Sequence, residues 1–131
     1  MNISLKNIHL ATKQQIFDQV ATHLLTQHEA AQVEKRGGGV ACLYRVPDTD
    51  LKCAGGCLIA DDEYDPSCEG KTWDDAIQVY VGKYPNCDKH EDLITDLQSL
   101  HDEGNSAYWW QNLYSLAKQK HLDASVLSNF K

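Results

Sequence analysis

Residues 42–64 limit what this chain can fold into more than any other stretch. They bring together three of the five cysteines, a turn sequence, two adjacent glycines and the start of an acidic run. Residues 47–50 read Pro-Asp-Thr-Asp, which is typical of a tight turn because proline fixes φ and aspartate accepts hydrogen bonds from the nearby backbone. The stretch therefore predicts a β-hairpin over residues 40–54.

The alternation of side chains in this hairpin predicts which of its faces is buried. With a symmetric four-residue turn, Val46 lies opposite Leu51 and Tyr44 lies opposite Cys53. Because successive side chains of a strand point to opposite faces, Arg45 falls on the other side. The face expected in the core carries six apolar side chains: Val40, Cys42, Tyr44, Val46, Leu51 and Cys53.

A helix is predicted before the hairpin. Thr12 and Gln15 have the spacing of a capping box, in which each side chain binds a free backbone N–H of the first turn. The helix is expected to run to about residue 30 and to end before the glycines at 37–39, which we interpret as a flexible connection. Its buried stripe recurs at helical spacing: Ile16, Phe17, Val20, Ala21, Leu24 and Leu25.

The chain from residue 88 onward predicts helices. Asp88 and Glu91 again have the spacing of a capping box, now ahead of a leucine-rich stripe. Ser106 is placed to cap a helix that carries two tryptophans, and Asp123 is placed to cap a last short helix.

Two stretches, 55–60 and 73–81, fit either a strand or a helix, because their apolar runs are too short to separate the two periods. The chain of 131 residues has the length of one domain, residues 1–131. We predict an α+β fold in which a small antiparallel sheet, with room for a third strand, is packed by an N-terminal helix and a C-terminal helical segment.

The charge of the chain is uneven. Residues 48–103 hold fifteen acidic residues and four lysines, whereas the whole chain has a net charge of −7. Phosphate binding needs a basic patch, so direct nucleic-acid binding is not expected. An acidic face predicts contact with a basic protein surface, the alternative being a solvated face that keeps the protein in solution. The candidate contacts are Asp61, Asp62, Glu63 and Asp65.

Tyr108, Trp109 and Trp110 form the largest aromatic concentration. Three consecutive helical residues span about 200° of the helix circumference, so they cannot all face one core. At least one ring is expected near the surface, where aromatic side chains serve as anchors in protein interfaces. Trp109 and Trp110 are therefore further candidate contacts with a partner.

The cysteines predict buried thiols rather than a metal site or a nucleophile. Cys53 and Cys57 have a spacing found in zinc sites, but a second pair is missing, and whether Cys57 and Cys68 bind a metal stays open. A cysteine hydrolase would need strands where the later histidines lie in predicted helices. His101-Asp102 fits either an oriented base or a charge arrangement at a helix end. We expect no catalytic residue, metal or cofactor.

The compartment is expected to be the cytoplasm. An odd number of cysteines, without a basic-then-apolar leader, fits reduced thiols. No run of eighteen apolar residues is present, so no membrane span is expected.

One motif in the centre of the chain is specific. It reads C-x-Y-R from Cys42 and K-C-A-x-G-C-L-I-x-D-x-x-Y from Lys52 to Tyr64. It resembles small uncharacterised proteins of bacteriophages, prophages and their bacterial hosts, and the likeness extends over about residues 12–122. Ala60 departs from the pattern, where proline is expected. The resemblance implies an intracellular protein carried on mobile elements, and it implies no activity, cofactor or catalytic residue.

We therefore predict a non-enzymatic interaction protein of phage or prophage type that binds a host or phage protein. A counter-defence inhibitor that blocks a nucleic-acid-binding effector is the concrete form that the acidic segment favours. The alternatives are a zinc-bearing or cysteine-dependent enzyme and a structural or minor virion component. The oligomeric state stays open.

Overall fold

The computed structural model describes residues 2–103 and 105–130 and has the expected α+β architecture. The regular elements are α1 (Lys13–Gln27), β1 (Gln32–Glu34), β2 (Val40–Cys42), α2 (Trp73–Ala76), α3 (Glu91–Glu103) and α4 (Trp109–Gln119). Four short 3₁₀ helices lie between these elements, at Gly56–Leu58, Pro66–Cys68, Ile77–Val79 and Ser106–Tyr108. Two more lie outside them, at Ile8–Leu10 before α1 and at Ser125–Phe130 after α4.

Helix α1 begins with the predicted capping box. The Gln15 N–H donates to Thr12 Oγ1 over 3.1 Å, and the Thr12 N–H donates to Gln15 Oε1 over 2.9 Å. All six residues of the predicted stripe are buried, so the packed face of α1 is confirmed. The helix ends at Gln27, before the predicted residue 30, because His28 takes a left-handed conformation and its N–H donates to the Leu24 carbonyl.

The sheet lies at a different place from the predicted hairpin. β1 pairs with β2 in antiparallel register, with Val33 opposite Ala41. The glycines at 37–39 form the turn between these strands, and all three have positive φ, which glycine adopts without steric cost. The connection predicted at these glycines is thus a turn between two strands, and its flexibility stays a prediction. Val40, expected in the core, is 49% exposed.

The chain turns at residues 47–50 with the predicted pairing of residues, but the strands predicted on either side of this turn do not form. Arg45 forms an isolated bridge with Lys52, and the Val46 N–H donates to the Leu51 carbonyl over 3.1 Å. The ladder does not extend further because the Tyr44 N–H, which would face Cys53, donates to the Glu69 carboxylate over 2.8 Å. The Arg45 N–H, which points away from Lys52, donates to the same carboxylate over 3.1 Å. A side chain thus replaces the strand partner that the hairpin would have supplied.

The two undecided stretches are helical. Residues 56–58 form a 3₁₀ turn, and α2 continues into a further 3₁₀ turn at Ile77–Val79, so the third strand is absent from the described residues. Gly56 is required in the first turn because a Cβ there would lie 2.1 Å from the Tyr44 carbonyl oxygen. A Cβ on Gly55 would lie 2.6 Å from the Trp73 ring. The chain therefore turns tightly where a strand was an alternative.

The C-terminal helical segment is confirmed, although two caps differ from their predictions. Helix α3 begins at Glu91, so Asp88 lies before the helix rather than at its cap. The turn before α4 is capped by Asn105, whose Oδ1 accepts from the Ala107 N–H over 2.9 Å, instead of by Ser106. Asp123 accepts from the Ser125 N–H over 2.8 Å and so caps the predicted last short helix, which is a 3₁₀ helix at Ser125–Phe130.

One hydrophobic core runs through the described part of the chain, from Ile3 near its beginning to Leu127 near its end. Helix α1 packs against α3, α4 and the last 3₁₀ turn, while α2 packs against α3. This arrangement leaves the outer side of α3 at the surface between α2 and α4. Each helix in the described residues is too short or too polar to cross a membrane.

Candidate functional site

The predicted acidic contacts lie in a loop, residues 60–65, which we call the acidic loop. Glu63 is only 4% exposed, and its carboxylate holds the beginning of the chain. It accepts hydrogen bonds from Ser4 Oγ (2.8 Å), the Leu5 N–H (3.0 Å), the Lys6 N–H (3.2 Å) and the Ala60 N–H (2.9 Å). The prediction of Glu63 as a partner contact is therefore wrong, because its carboxylate is buried and hydrogen-bonded within the protein.

Asp61 and Asp62 are exposed, but cations of the same chain lie against them. Arg45 contacts Asp61 over 2.7 Å and Lys52 contacts it over 3.7 Å, while Lys6 contacts Asp62 over 2.6 Å. The Arg45 guanidinium holds the pKa of Asp61 below its usual value, and the Lys6 ammonium does the same for the pKa of Asp62. The charge of these two carboxylates is balanced locally.

Asp65 is the remaining predicted contact in the acidic loop. It is exposed, and its Oδ1 accepts from the Ser67 N–H over 2.9 Å at the start of a 3₁₀ turn. This backbone hydrogen bond holds the pKa of Asp65 below its usual value. Asp65 thus caps a turn and keeps its charge at the surface.

The two tryptophans differ in accessibility. Trp109 is fully buried and stacks on the His101 ring, with centroids 5.4 Å apart, so its prediction as a partner contact is wrong. Trp110 is half-buried, donates from Nε1 to the Leu127 carbonyl over 2.8 Å and stacks on Tyr114. The ring expected at the surface belongs to Tyr108, which is 58% exposed.

A cluster of Cys42, His101 and Asp102 joins β2 to the end of α3. It is the one group of three possible metal ligands in the described residues, with its ligand atoms within 4.8 Å of one another. His101 Nδ1 lies 2.7 Å from Asp102 Oδ1, and His101 Nε2 accepts from the Ala31 N–H over 2.9 Å. Because Nε2 is the acceptor, the proton of the neutral ring is on Nδ1.

This cluster is poorly suited to a metal or to nucleophilic catalysis. A metal on His101 Nδ1 would require the ring proton on Nε2, where it would meet the Ala31 N–H. Burial and the Asp102 carboxylate raise the pKa of the Cys42 thiol to about 11, so the thiol is protonated at neutral pH. The imidazole is oriented toward the carboxylate and the backbone, and it has no free nitrogen to deprotonate Cys42.

The other predicted cysteine sites also hold neutral thiols. Burial raises the pKa of Cys57 to about 12 and raises the pKa of Cys68. Within residues 2–103 and 105–130, neither cysteine belongs to a group of three potential metal ligands. The Cys57 thiol donates to the Ala54 carbonyl over 3.1 Å, as a small structural donor does.

The outer side of α3 carries the unbalanced negative charge. We call it the α3 acidic face, and its residues are Glu91, Asp92, Asp96, Asp102 and Glu103. Lys120, 2.7 Å from Asp96, is the one lysine or arginine of the described residues in ion-pair contact with these carboxylates. Burial, together with the negative charges of Asp88, Asp74 and Asp92, raises the pKa of Glu91.

Three surface grooves flank this helix. A groove of about 400 Å³ lies between α3 and α4, one of about 480 Å³ lies toward α2, and one of about 370 Å³ lies toward β2. The α3 acidic face thus places carboxylates beside concave surfaces. At the acidic loop, by contrast, lysine and arginine side chains of the same chain already contact Asp61 and Asp62.

Comparisons with protein-family models, curated proteins and solved structures found no match.

The acidic segment predicted from the sequence also contains the α3 acidic face, which the sequence analysis did not single out. The signal for the α3 acidic face is the recurrence of Asp92, Asp96 and Glu103 at spacings of four and seven residues. Such spacings align side chains along one side of a helix. A run of adjacent acids draws attention first, although adjacent residues point in different directions.

Proposed function

We propose that this protein acts without catalysis, by binding a basic surface of a host or phage protein through the α3 acidic face. The observation that carries the proposal is the imbalance of charge on α3, where five carboxylates have one lysine in ion-pair contact. Carboxylates held at a surface without cations attract a positively charged partner and speed its association.

The resemblance to phage and prophage proteins supports a counter-defence role in the cytoplasm of a bacterial host. A surface that binds nucleic-acid phosphates is rich in lysine and arginine, and those side chains also bind carboxylates. A carboxylate row on a rigid helix is therefore suited to occupy such a surface. The partner of this proposal is a nucleic-acid-binding effector, and inhibition follows from competition for its basic residues.

Asp61, Asp62 and Asp65 are exposed and belong to the same proposal as secondary contacts. A partner cation approaching Asp61 or Asp62 would have to compete with Arg45 or Lys6. Surface ion pairs are weak, so this competition is feasible but brings less net gain than contact with the α3 acidic face.

Two charge-reversal variants test the proposal with equal changes of net charge. Asp92→Lys with Glu103→Lys changes the α3 acidic face, and Asp61→Lys with Asp62→Lys changes the acidic loop. Each immobilised variant is used to capture proteins from a bacterial lysate, with thermal unfolding as a check on folding. We expect the α3 variant to retain the captured partner at least about tenfold less than the original protein, and the loop variant to retain most of it.

The opposite result would assign the interface to the acidic loop, and equal capture by both variants would overturn the acidic-face proposal. Competition with double-stranded DNA adds the second part of the test. DNA should release the protein from an effector that binds nucleic acid, and failure to release it would overturn the proposed class of partner.

Metal analysis and thiol titration of the purified protein separate this function from the enzymatic alternative. We expect no bound zinc and slow modification of Cys42, because its raised pKa keeps the thiol protonated. One equivalent of zinc, or one fast-reacting cysteine, would instead favour an enzyme. Native mass measurement of a large homo-oligomer would favour a structural component.

A further inference from the structure

The groove between α3 and α4 combines an apolar floor with a charged rim. Leu100 of α3 and Leu116 of α4 form its floor, and the volume is about 400 Å³. Asp96 and Glu103 stand on the α3 side, while the α4 side is lined by uncharged polar side chains such as Ser115. The groove is therefore negative on one side and neutral on the other.

The spacing of the two carboxylates favours a helical ligand. Asp96 and Glu103 are seven residues apart, which corresponds to about 10.5 Å along the helix axis. Residues i and i+7 of a second helix lie on one side at the same separation. A helix lying along the groove can therefore place one basic side chain at each carboxylate, and residues i+3 and i+4 on the two leucines between them.

The local charges also indicate which end of the groove binds more strongly. Lys120 contacts Asp96 Oδ2 over 2.7 Å, so that carboxylate is partly neutralised. Glu103 is exposed and has no cation in ion-pair contact among the described residues. The basic residue facing Glu103 should accordingly contribute more to binding than the one facing Asp96.

We propose that the α3–α4 groove binds an amphipathic helix of the partner protein, with basic residues seven positions apart and apolar residues between them. This inference rests on the proposed function, because it names the element of the basic partner that the α3 acidic face recognises. Helix-in-groove binding uses an apolar side for affinity and charged flanks for specificity.

A synthetic peptide tests the groove directly. The probe is an alanine-based helical peptide with lysine at every seventh position and leucine three and four positions after each lysine. The control peptide has the same length and the same numbers of lysine, leucine and alanine, but its lysines are five positions apart, so that its charges do not share one side. We expect the first peptide to bind at least about tenfold more tightly than the control, by fluorescence anisotropy at low salt. Equal affinities would overturn the proposal.

Two variants localise the binding. Ser115→Trp fills the groove from an exposed position without changing charge, and Ser67→Trp adds the same bulk beside the acidic loop. Ser115→Trp should weaken peptide binding by about tenfold or more, as should Glu103→Lys, whereas Ser67→Trp should leave it unchanged. Loss of affinity through Glu103→Lys alone would mean an electrostatic surface contact and would overturn the groove.

The outcome for the captured partner separates this inference from the proposed function. If the α3 charge reversal abolishes capture and Ser115→Trp does not affect it, the proposed function stands and the groove proposal fails. If the α3 charge reversal does not affect capture, the proposed function itself fails. A dimer in native mass spectra that Ser115→Trp dissociates would assign the groove to a second copy of the chain and overturn the proposal.

Discussion

The acidic loop and the α3 acidic face are both rich in carboxylates, but the fold uses them in opposite ways. In the loop, Glu63 binds buried backbone N–H groups, and Asp61 and Asp62 contact three cations. On α3, Lys120 is the one lysine or arginine of the described residues within ion-pair distance. The comparison teaches that a count of acidic residues measures total charge, whereas partner binding depends on the charge that the fold leaves unpaired.

The difference follows from the position of each region. The acidic loop joins segments that are distant in sequence, so its carboxylates meet backbone donors and cations from residues 4–6 and 45–52. A buried carboxylate is tolerated only with such partners. The outer side of α3 faces water, which solvates carboxylates without protein partners.

The largest expected loss of stability comes from replacing Glu63, and it would confirm that this carboxylate of the acidic loop stabilises the fold. Replacing Glu63 with alanine removes four hydrogen bonds and leaves the buried Leu5 N–H without an acceptor. We expect the free energy of unfolding to fall by about 3 kcal/mol. Urea unfolding measures it, with Asp92→Ala as a surface control expected to change stability by less than about 0.5 kcal/mol. Similar losses in both variants would remove the distinction between the regions.

Asp102 is the exception on the α3 acidic face, and Asp102→Asn tests it. Its Oδ1 accepts from Gln98 Nε2 over 2.8 Å and lies 2.7 Å from His101 Nδ1, so we expect a stability loss of about 1 kcal/mol. Removing the negative charge should also lower the pKa of Cys42 from its raised value of about 11 and speed alkylation of this thiol. Peptide mass spectrometry after iodoacetamide treatment follows the rate, and Asp96→Asn should leave it unchanged. An unchanged rate in Asp102→Asn would contradict the cluster geometry.

Glu91 tests for repulsion on the α3 acidic face. Its pKa is raised by burial and by neighbouring carboxylates, so the folded protein holds this proton more strongly than the unfolded chain does. Stability therefore decreases as the pH rises from the ordinary glutamate pKa to the raised one, and ionised Glu91 costs stability at neutral pH. Glu91→Gln should stabilise the protein at pH 7 by less than about 0.5 kcal/mol.

The gain from Glu91→Gln should disappear below about pH 4, where the glutamate is protonated in both states. Thermal unfolding across this pH range measures the difference between the two proteins. If Glu91→Gln is instead less stable than the original protein at pH 7, the negative charge of Glu91 is stabilised by a partner. That result would contradict the description of the α3 acidic face as unbalanced.

The smallest effect is expected for the exposed ion pairs of the acidic loop. Asp62→Asn removes the contact with Lys6, in which both side chains are largely exposed. Such pairs contribute little and are screened by salt, so the midpoint of thermal unfolding should be nearly unchanged and insensitive to added sodium chloride. A clearly lower unfolding midpoint of Asp62→Asn at low salt would show that the Lys6–Asp62 pair supports the hydrogen bonds between Glu63 and residues 4–6.

Local features of this fold could be predicted from sequence because they depend on neighbouring residues. The capping box of Thr12 and Gln15 lies within four residues, and the buried stripe of α1 follows from helical periodicity. The turn at 47–50 was correctly centred for the same reason. The missing hairpin strands could not be predicted, because the backbone of Tyr44 and Arg45 bonds to Glu69, which lies 25 and 24 residues further along.

The candidate site was predictable only in its chemistry. The acidic segment and the exposed aromatic side chain follow from composition and helix geometry. The burial of Glu63 depends on Leu5, 58 residues away, and the burial of Trp109 depends on its stacking with His101 across a helix–helix contact. Such long-range partners leave no periodic signal in a single sequence, so the structure was needed to separate the buried from the exposed members of the predicted set.

The hydrogen bonds between Glu63 and residues 4–6 have a consequence for synthesis of the protein on the ribosome. The Lys6 N–H donates to the carboxylate of Glu63, 57 residues further along, so the segment around Lys6 cannot form its native contacts until Glu63 has been synthesised. At 5–20 residues per second, this delay is roughly 3 to 11 s. During that time Ile3, Leu5 and Ile8, which are buried in the folded protein, are available to a chaperone that binds apolar nascent chains.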